Sequence, residues 1–242
     1  MSEAWTFIAG NEAQKILLIA DHASNHVPLD IDLGIDPVLL DTHIALDIGV
    51  AGMAAALCQR LNIPGILGGV SRLVVDLNRE IDAPHIIPTA SDGHALPGNA
   101  ISHQERVARI ARFWQPYHDE IARVILRMQP LLLVSLHSFT PRLATQPEED
   151  RPWEVGILYN NDDRAARIAI PALEGCGVIV GDQLPYSGKI LNATMNTHGE
   201  GNGIAYLGLE MRQDLIADAE GIAHWLDVIA AVVQSCANRV ED

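Results

Sequence analysis

The amino-acid sequence predicts an α/β fold, in which helices flank a mixed, largely parallel central sheet. Short apolar runs alternate with helical patterns along the chain, as expected when helices connect strands of one sheet. The clearest strands are Lys15–Ala20 and Leu131–Leu136, which are almost wholly apolar and therefore predicted to be buried on both faces. Because no repeat, low-complexity tract or interdomain linker is found, residues 1–242 are predicted to form a single domain.

The other elements follow from composition and periodicity. An Ala-rich helix is predicted over Asp41–Leu61, and a second helix over Asp162–Leu173. Further short runs predict the remaining strands, of which the second alternates only weakly between apolar and polar residues. They are Gly65–Gly69, Ser71–Leu77, Val155–Tyr159, Gly177–Val180 and Ile204–Met211.

Two long helices carry capping signals. One begins at Ser102, because Glu105 completes a capping box, and its apolar residues recur at three- and four-residue steps as far as Met128. Pro116 is expected to kink this helix, and Asp218 is expected to cap the last one. Segments rich in Pro, Gly and polar residues predict two long surface loops, Ala83–Asn99 and Arg142–Pro152.

The composition excludes several classes of protein. Hydrophobic residues make up 48% of the 242 residues and charged residues 19%, so the chain can bury a full core. Its formal net charge is -15. A surface this acidic repels phosphate groups, so neither nucleic acid nor an anionic membrane is expected as a partner. An anionic substrate would therefore need arginines concentrated in its pocket.

The cysteines and the apolar runs point to the cytoplasm. Cys58, Cys176 and Cys236 are odd in number and form no C-x-x-C pair, as expected for reduced thiols. The chain shows no signal-peptide pattern and no apolar run near the roughly 20 residues that a membrane helix needs. We expect a cytoplasmic protein, and the sequence leaves homo-oligomerisation open.

Polar side chains stand where several predicted strands end. In open α/β sheets, ligands bind at the carboxyl ends of the strands. A single histidine at such a position is more often structural, but several polar strand ends together favour a site. The strand-end residues are His22, Asn78, Arg79, His137, Glu210 and Arg212.

Two imidazoles and a carboxylate around an open fourth position form a hydrolytic zinc site. His22 and His137 are therefore candidate zinc ligands. Zinc lowers the pKa of bound water to about 7. A glutamate that is not a ligand can then transfer protons between this water and the leaving amine, and Glu210 is the candidate.

Six segments together resemble the N-formylglutamate amidohydrolase family, which is related in fold to the zinc carboxypeptidases. They are DHASNHVP, DTHIALDIG, SRLVVDLNRE, SLHSF, THGEG and LGLEMRQDLI, and they span residues 21–216. The resemblance implies a zinc-carboxypeptidase-like fold with one zinc ion. It also implies a small-molecule N-acyl amino acid as substrate, N-formyl-L-glutamate being the family type.

The resemblance also implies particular roles. SLHSF resembles the carboxypeptidase segment that supplies the last zinc histidine, here His137, and LEMR resembles the one that carries the catalytic glutamate, here Glu210. DLNR resembles the pair that binds a substrate carboxylate, here Asn78 and Arg79.

One departure concerns the third metal ligand. The related enzymes supply their first two ligands from His-x-x-Glu, whereas His22 is followed at that spacing by Asn25, and an amide is a poor zinc ligand. We therefore predict Asp47 as the third ligand, the alternative being a helix residue that hydrogen-bonds a neighbouring loop. Asn25 is predicted to orient substrate or a ligand.

Other residues are assigned to substrate binding or catalysis. Arg72, Arg79 and Arg212 are candidates for binding carboxylates, since guanidinium pairs with them in bidentate fashion; structural ion pairs are the alternative. His198 is predicted to hydrogen-bond the developing oxyanion, unless it is an exposed loop histidine. His43 is predicted to share a helix face with Asp47, the alternative being a surface position. The segment Tyr186-Ser187-Gly188 is expected to line the pocket.

Two alternatives to the leading hypothesis stay open. One is hydrolysis of another N-acyl amino acid or a short peptide. The other is a family member that binds an acidic metabolite without cleaving it, which Asn25 keeps open. A serine hydrolase is disfavoured because the sequence has no G-x-S-x-G motif.

Overall fold

The computed structural model describes residues 3–240, in which seven strands form one sheet and two short strands form a hairpin. The apolar runs of the sequence form most of the sheet. In chain order the strands are β1 (Trp5–Ile8), β2 (Ile16–Ala20), β3 (Gly65–Gly68), β4 (Ala90–Ser91), β5 (His94–Ala95), β6 (Leu132–Phe139), β7 (Val155–Leu158), β8 (Val180–Asp182) and β9 (Ala205–Arg212).

The sheet is mixed and largely parallel, which confirms the predicted fold class. Its order is β1-β3-β2-β6-β9-β7-β8. The strands β3, β2, β6 and β9 run parallel to one another at its centre. β1 and β7 each pair antiparallel to this central group, and β8 runs parallel to β7. The carboxyl ends of β2, β6 and β9 therefore lie at the same edge.

Helices cover both faces of the sheet. They are α1 (Val50–Leu61), α2 (His103–Arg109), α3 (Gln115–Met128), α4 (Ala166–Gly175), α5 (Ala193–His198) and α6 (Ala219–Arg239). The side chains of β2 alternate between two cores. Leu18 packs with residues of α1, α4 and α6 on one face, whereas Leu17 and Ile19 pack with residues of α3 on the other. This arrangement forms three layers.

The capping predictions for the long helices agree with the structure. Ser102 and Glu105 form the expected capping box, and the Asp218 side chain accepts from Gly221 N. A π-helical turn over Ile110–Trp114 joins α2 to α3 directly before Pro116. Pro116 has no backbone N–H to donate to the preceding turn. The kink predicted at this proline takes the form of the wider, π-helical turn.

Two predicted elements are wrong. The segment Ser71–Leu77 is buried but forms turns, because its backbone groups bond to irregular segments such as His26 and to itself rather than to a strand. The helix predicted over Asp41–Leu61 begins only at Val50. Gly49 precedes it with φ 82, and a Cβ there would lie 2.1 Å from the Ile216 carbonyl oxygen, so only glycine fits this approach.

The remaining differences are small. β1 was not predicted from the sequence, and β8 begins three residues later than predicted. The hairpin β4–β5 lies inside the first predicted loop. Within residues 3–240, no helix combines the length and the apolar character that crossing a membrane requires.

Candidate active site

The candidate site lies at the carboxyl ends of β2, β6 and β9. His137 and Glu210 are directly paired across β6 and β9, on the face of the sheet that α3 covers. Asp21 and His22 follow immediately after β2. Because these polar side chains stand directly at the ends of neighbouring strands, they meet in one cavity, as the sequence predicts.

Two histidines and one aspartate converge on a common point. His22 Nδ1 lies 3.4 Å and His137 Nδ1 2.8 Å from Asp47 Oδ2. One ligand atom from each of the three residues lies within 4.8 Å of the others, and all three side chains are buried. Asp47 rather than Asn25 therefore supplies the carboxylate of this group.

The other nitrogen of each histidine faces a second buried carboxylate. His22 Nε2 lies 2.7 Å from Asp76 Oδ1, and His137 Nε2 lies 3.2 Å from Asp21 Oδ2. Such outer carboxylates orient metal-binding histidines. Neither aspartate was predicted as a site residue, although Asp21 stands directly beside His22 and Asp76 stands in DLNR.

Asp21 is itself held by two hydroxyl groups. Tyr117 OH donates to Asp21 Oδ1 at 2.8 Å, and Thr194 Oγ1 donates to the same oxygen at 2.9 Å. These donors come from α3 and α5, so both helices contribute to the orientation of His137.

Irregular backbone holds Asp47 in place. Its N–H donates to the His22 carbonyl oxygen at 3.0 Å, and its Oδ2 accepts from Ser138 N at 3.3 Å. Arg72 donates to Asp47 Oδ1 at 3.1 Å and to Asp76 Oδ2 at 3.2 Å. Arg72 thus joins the carboxylates on the two sides of His22.

The electrostatic field at this point favours positive charge. Burial opposes protonation of His22, but the nearby carboxylates of Asp76 and Asp47 outweigh it and raise the His22 pKa. The pKa of His137 is likewise raised well above its ordinary value, where the bonds to Asp21 and Asp47 outweigh burial. A cation bound between the three side chains would be stabilised by the same carboxylates.

Glu210 has a buried carboxylate oxygen that is not engaged by the described part of the protein. It is 8% exposed, and its Oε2 has no hydrogen-bond partner within residues 3–240. Burial, together with the negative charge of Asp47, raises the pKa of Glu210 to about 7. A carboxyl group with a pKa near neutrality can both accept and release a proton.

The strand-end pair Asn78 and Arg79 lines the cavity. Asn78 Oδ1 accepts from Thr194 N at 3.0 Å, which anchors the side chain to α5. Arg79 is ion-paired more loosely than Arg72, since its Nε lies 3.5 Å from Asp76 Oδ2. Arg79 is therefore the arginine of the cavity that can most easily reach a ligand.

Three sequence predictions are not supported, because the side chains lie outside the cavity. Arg212 pairs with Asp214, which follows it by two residues and takes up the guanidinium. Asn25 donates to Asp41 Oδ1 at 2.9 Å. His198 Nε2 lies 2.9 Å from His118 Nδ1, so this nitrogen is engaged away from the site.

Two further side chains of the sequence analysis belong to the lining. His43 belongs to no helix, yet it lines the cavity while its Nε2 bonds to Asp92 Oδ2 at 2.9 Å. Tyr186 lines the cavity as expected, beside Glu210 and Arg72. The cavity opens into an outer chamber, since His43, Arg72, Arg79 and Tyr186 line both.

A three-layer α/β fold with a His–Asp–His group and a buried glutamate at the carboxyl edge of its sheet is typical of hydrolytic enzymes. The chain belongs to the N-formylglutamate amidohydrolase family, whose model matches residues 14–217. This match covers most of the chain and all of the candidate site.

Two solved structures resemble the whole chain. A gene product from Agrobacterium tumefaciens is 28% identical, with 99% of this chain and 96% of that chain covered and a TM-score of 0.91. An N-formylglutamate amidohydrolase from Ralstonia eutropha is 19% identical, with 99% and 98% covered and a TM-score of 0.70, a likeness of fold. No curated protein sequence matches the chain.

Proposed function

We propose that this protein hydrolyses the amide bond of an N-acyl amino acid, N-formyl-L-glutamate being the type substrate of its family, with one zinc ion as cofactor. The observation that carries the proposal is the convergence of His22, Asp47 and His137 beside the unpaired carboxylate of Glu210. A buried polar atom without a partner needs an explanation, and contact with a water or substrate molecule in the cavity supplies one for Glu210.

The residues fit a zinc ion. Two imidazoles and one carboxylate are the donor set of hydrolytic zinc sites, and both histidines present Nδ1 while Nε2 faces a carboxylate. His22, Asp47 and His137 would hold the ion. When bound, zinc polarises the acyl carbonyl and lowers the pKa of water to about 7.

Glu210 is proposed to move the proton. As the water oxygen bonds to the acyl carbon, Glu210 accepts a proton of this water. As the bond between acyl carbon and nitrogen breaks, Glu210 delivers the proton to the leaving nitrogen. The products are a carboxylic acid, which is formate for the type substrate, and the free amine of the amino acid.

Arg79 and Asn78 are proposed to bind a substrate carboxylate. The chain carries a net charge of -15, so a dianionic substrate meets long-range repulsion unless the cavity supplies local positive charge. Arg79 supplies it with a guanidinium that is 34% exposed. Arg72 is less available to a ligand because it already pairs with Asp47 and Asp76.

The non-catalytic alternative loses its main support. It arose because Asn25 stands where related enzymes have a glutamate ligand. Since Asn25 donates to Asp41 and Asp47 lies with His22 and His137, two imidazoles and a carboxylate are available for a metal without it. Hydrolysis of a different N-acyl amino acid remains the second candidate, because Arg79 recognises a carboxylate and not a particular side chain.

Metal analysis combined with a substrate screen tests the proposal. Protein purified without chelator is expected to contain one zinc ion per chain and to release amine from N-formyl-L-glutamate in a panel of N-acyl amino acids. His137→Ala and Asp47→Ala should lose most of the zinc, whereas His224→Ala on the exposed surface of α6 should keep it. Full zinc content in both site variants would contradict the ligand assignment.

A further inference from the structure

Tyr186 is linked to a buried arginine that the proposed mechanism does not use. Arg151 lies in the loop before β7 and is 5% exposed. Its NH1 donates to Tyr186 OH at 3.0 Å, and its guanidinium carbon lies 5.2 Å from the centroid of the tyrosine ring. Arg151 Nε also lies 3.6 Å from Glu149 Oε1, so the buried guanidinium is paired with a carboxylate and held in a fixed position against the tyrosine.

The segment that carries Tyr186 lies directly on the sheet. A Cβ at Gly156 or at Gly181 would lie 2.4 Å from the Leu184 carbonyl oxygen, so only glycine allows this approach. Gly156 is also the residue paired with Glu210 across β7 and β9. The segment is therefore held at a defined place beside Glu210.

The Tyr186 hydroxyl has a proton to donate. Guanidinium only donates hydrogen bonds, so the phenol oxygen accepts from Arg151. Within residues 3–240, this is the only hydrogen bond of the hydroxyl, and its own proton has no acceptor. Burial raises the pKa of Tyr186, which keeps the hydroxyl protonated. Donation from Arg151 also polarises the O–H bond and makes it a stronger donor.

The other donors near the reacting groups have partners within the protein or another proposed role, since Asn78 and Arg79 are assigned to the substrate carboxylate. His22 and His137 face carboxylates with both ring nitrogens. Arg72 pairs with two aspartates, and His198, the donor predicted from the sequence, lies outside the cavity.

We propose that Tyr186 donates a hydrogen bond to the acyl oxygen of the substrate, and that Arg151 is a positioning residue that holds this hydroxyl. The inference rests on the proposed amide hydrolysis. As the water oxygen adds to the acyl carbon, the carbon–oxygen double bond gives way to a single bond and negative charge develops on the acyl oxygen. A donor already in place stabilises this charge without reorganisation.

Steady-state kinetics of the zinc-loaded full chain test the role of Tyr186. Tyr186→Phe is expected to lower kcat for N-formyl-L-glutamate by roughly 10²- to 10³-fold, the usual effect of removing one oxyanion donor, with KM changed less than about twofold. Tyr159→Phe is the matched control, because its hydroxyl bonds to Asp182 at the surface. A kcat in Tyr186→Phe equal to that of the control overturns the proposal.

A binding measurement gives a readout without turnover. The probe is N-(methylphosphonyl)-L-glutamate, whose phosphonyl oxygens carry the negative charge of the transition state. Calorimetry should show at least about tenfold weaker binding to Tyr186→Phe, with Tyr159→Phe unchanged. Equal affinity for wild type and Tyr186→Phe overturns the proposal even if no substrate is turned over. If the wild type neither cleaves the panel nor binds the probe, the proposed function itself fails.

Double substitution tests the role of Arg151. Arg151→Met should lower kcat in the wild type but add almost nothing in Tyr186→Phe, because its effect passes through the missing hydroxyl. Arg151→Lys should restore part of kcat, which also guards against a folding defect. An equal loss from Arg151→Met in both backgrounds would make Arg151 a structural residue only.

Discussion

At the scale of single residues, the site depends on which atom of each side chain faces which partner. His22 and His137 turn Nδ1 toward Asp47 and Nε2 toward Asp76 and Asp21, respectively. This division leaves one side of each imidazole for a metal and uses the other to hold the ring. Glu210 differs because one of its oxygens stays without a partner within residues 3–240.

Glu210→Gln is expected to separate binding from turnover. Glutamine keeps the size of the side chain but cannot carry the proton, so kcat should fall by about two to four orders of magnitude while zinc content and substrate affinity persist. Kinetics and elemental analysis measure both effects, with Glu174→Gln on the surface as control. Near-normal turnover would exclude the proton-transfer role, and loss of zinc would make Glu210 a ligand.

Arg79→Ala should weaken substrate binding rather than chemistry. A hydrogen bond to a charged group contributes about 1.5–3 kcal/mol, so KM for N-formyl-L-glutamate is expected to rise roughly ten- to a hundredfold with little change in kcat. Arg212→Ala is the control, since that guanidinium pairs with Asp214 outside the cavity. Michaelis–Menten kinetics of wild type and variants on N-formylglutamate and N-formylglutamine measure how far the side-chain carboxylate of the substrate is recognised. Equal efficiency on the two would show that no side-chain carboxylate is recognised.

At the scale of elements, close contacts between the sheet and irregular segments position the site. The segment that carries Tyr186 rests on glycines of β7 and β8, and the turns that carry Asp47 and Arg72 bond to each other's backbone, from Arg72 N to Ala45 O at 3.3 Å. Asp92 at the tip of the β4–β5 hairpin accepts from His43, Ala144 and Thr145, so it ties the hairpin to the wall of the outer chamber.

Gly156→Ala tests the close packing of the segment that carries Tyr186 against β7. The new methyl group would lie 2.4 Å from the Leu184 oxygen and 3.2 Å from Glu210 Cβ, so backbone must shift. We expect a loss of about 1–3 kcal/mol in unfolding free energy, as for overpacking elsewhere, together with reduced kcat. Gly175→Ala, where nothing lies within 4 Å, should leave stability unchanged or raise it slightly. Equal denaturation midpoints for the two variants would contradict the close approach.

At the scale of the whole molecule, the two hydrophobic cores on either side of the sheet hold the strands whose carboxyl ends carry the site. Within the layer that contains α3 and α5, a pair of buried histidines, His118 and His198, packs with ring centroids 5.2 Å apart. Burial lowers the pKa of His118 and of His198. For His198, burial and the charge of His118 together lower the pKa to about 4. The folded protein therefore favours a neutral pair.

This pair predicts that acid destabilises the fold. The unfolded pKa of histidine is about 6.5, so between pH 6.5 and 4 the unfolded chain binds a proton that folded His198 does not. The contribution of His198 to the unfolding free energy should fall as pH drops through this window, by on the order of 3 kcal/mol. Urea titrations of wild type and His198→Asn measure it, with His224→Asn as control. If the slopes of all three coincide, His198 does not remain neutral in the fold.

The sequence by itself determined the fold class and the strand ends that meet in the cavity. Apolar runs predict buried parallel strands, and polar residues directly after such strands must share one edge, so His22, His137 and Glu210 were found from local pattern. The choice of Asp47 came with the family resemblance.

Only the tertiary structure decided the remaining partners of the site residues, because these partners depend on how distant segments pack. Ser71–Leu77 has a strand-like pattern but finds no strand to pair with within residues 3–240. The aspartates behind the histidines come from two separate segments, and Tyr186 contacts an arginine of another loop, Arg151. Packing likewise engages His198 with His118 and Arg212 with Asp214, away from the cavity.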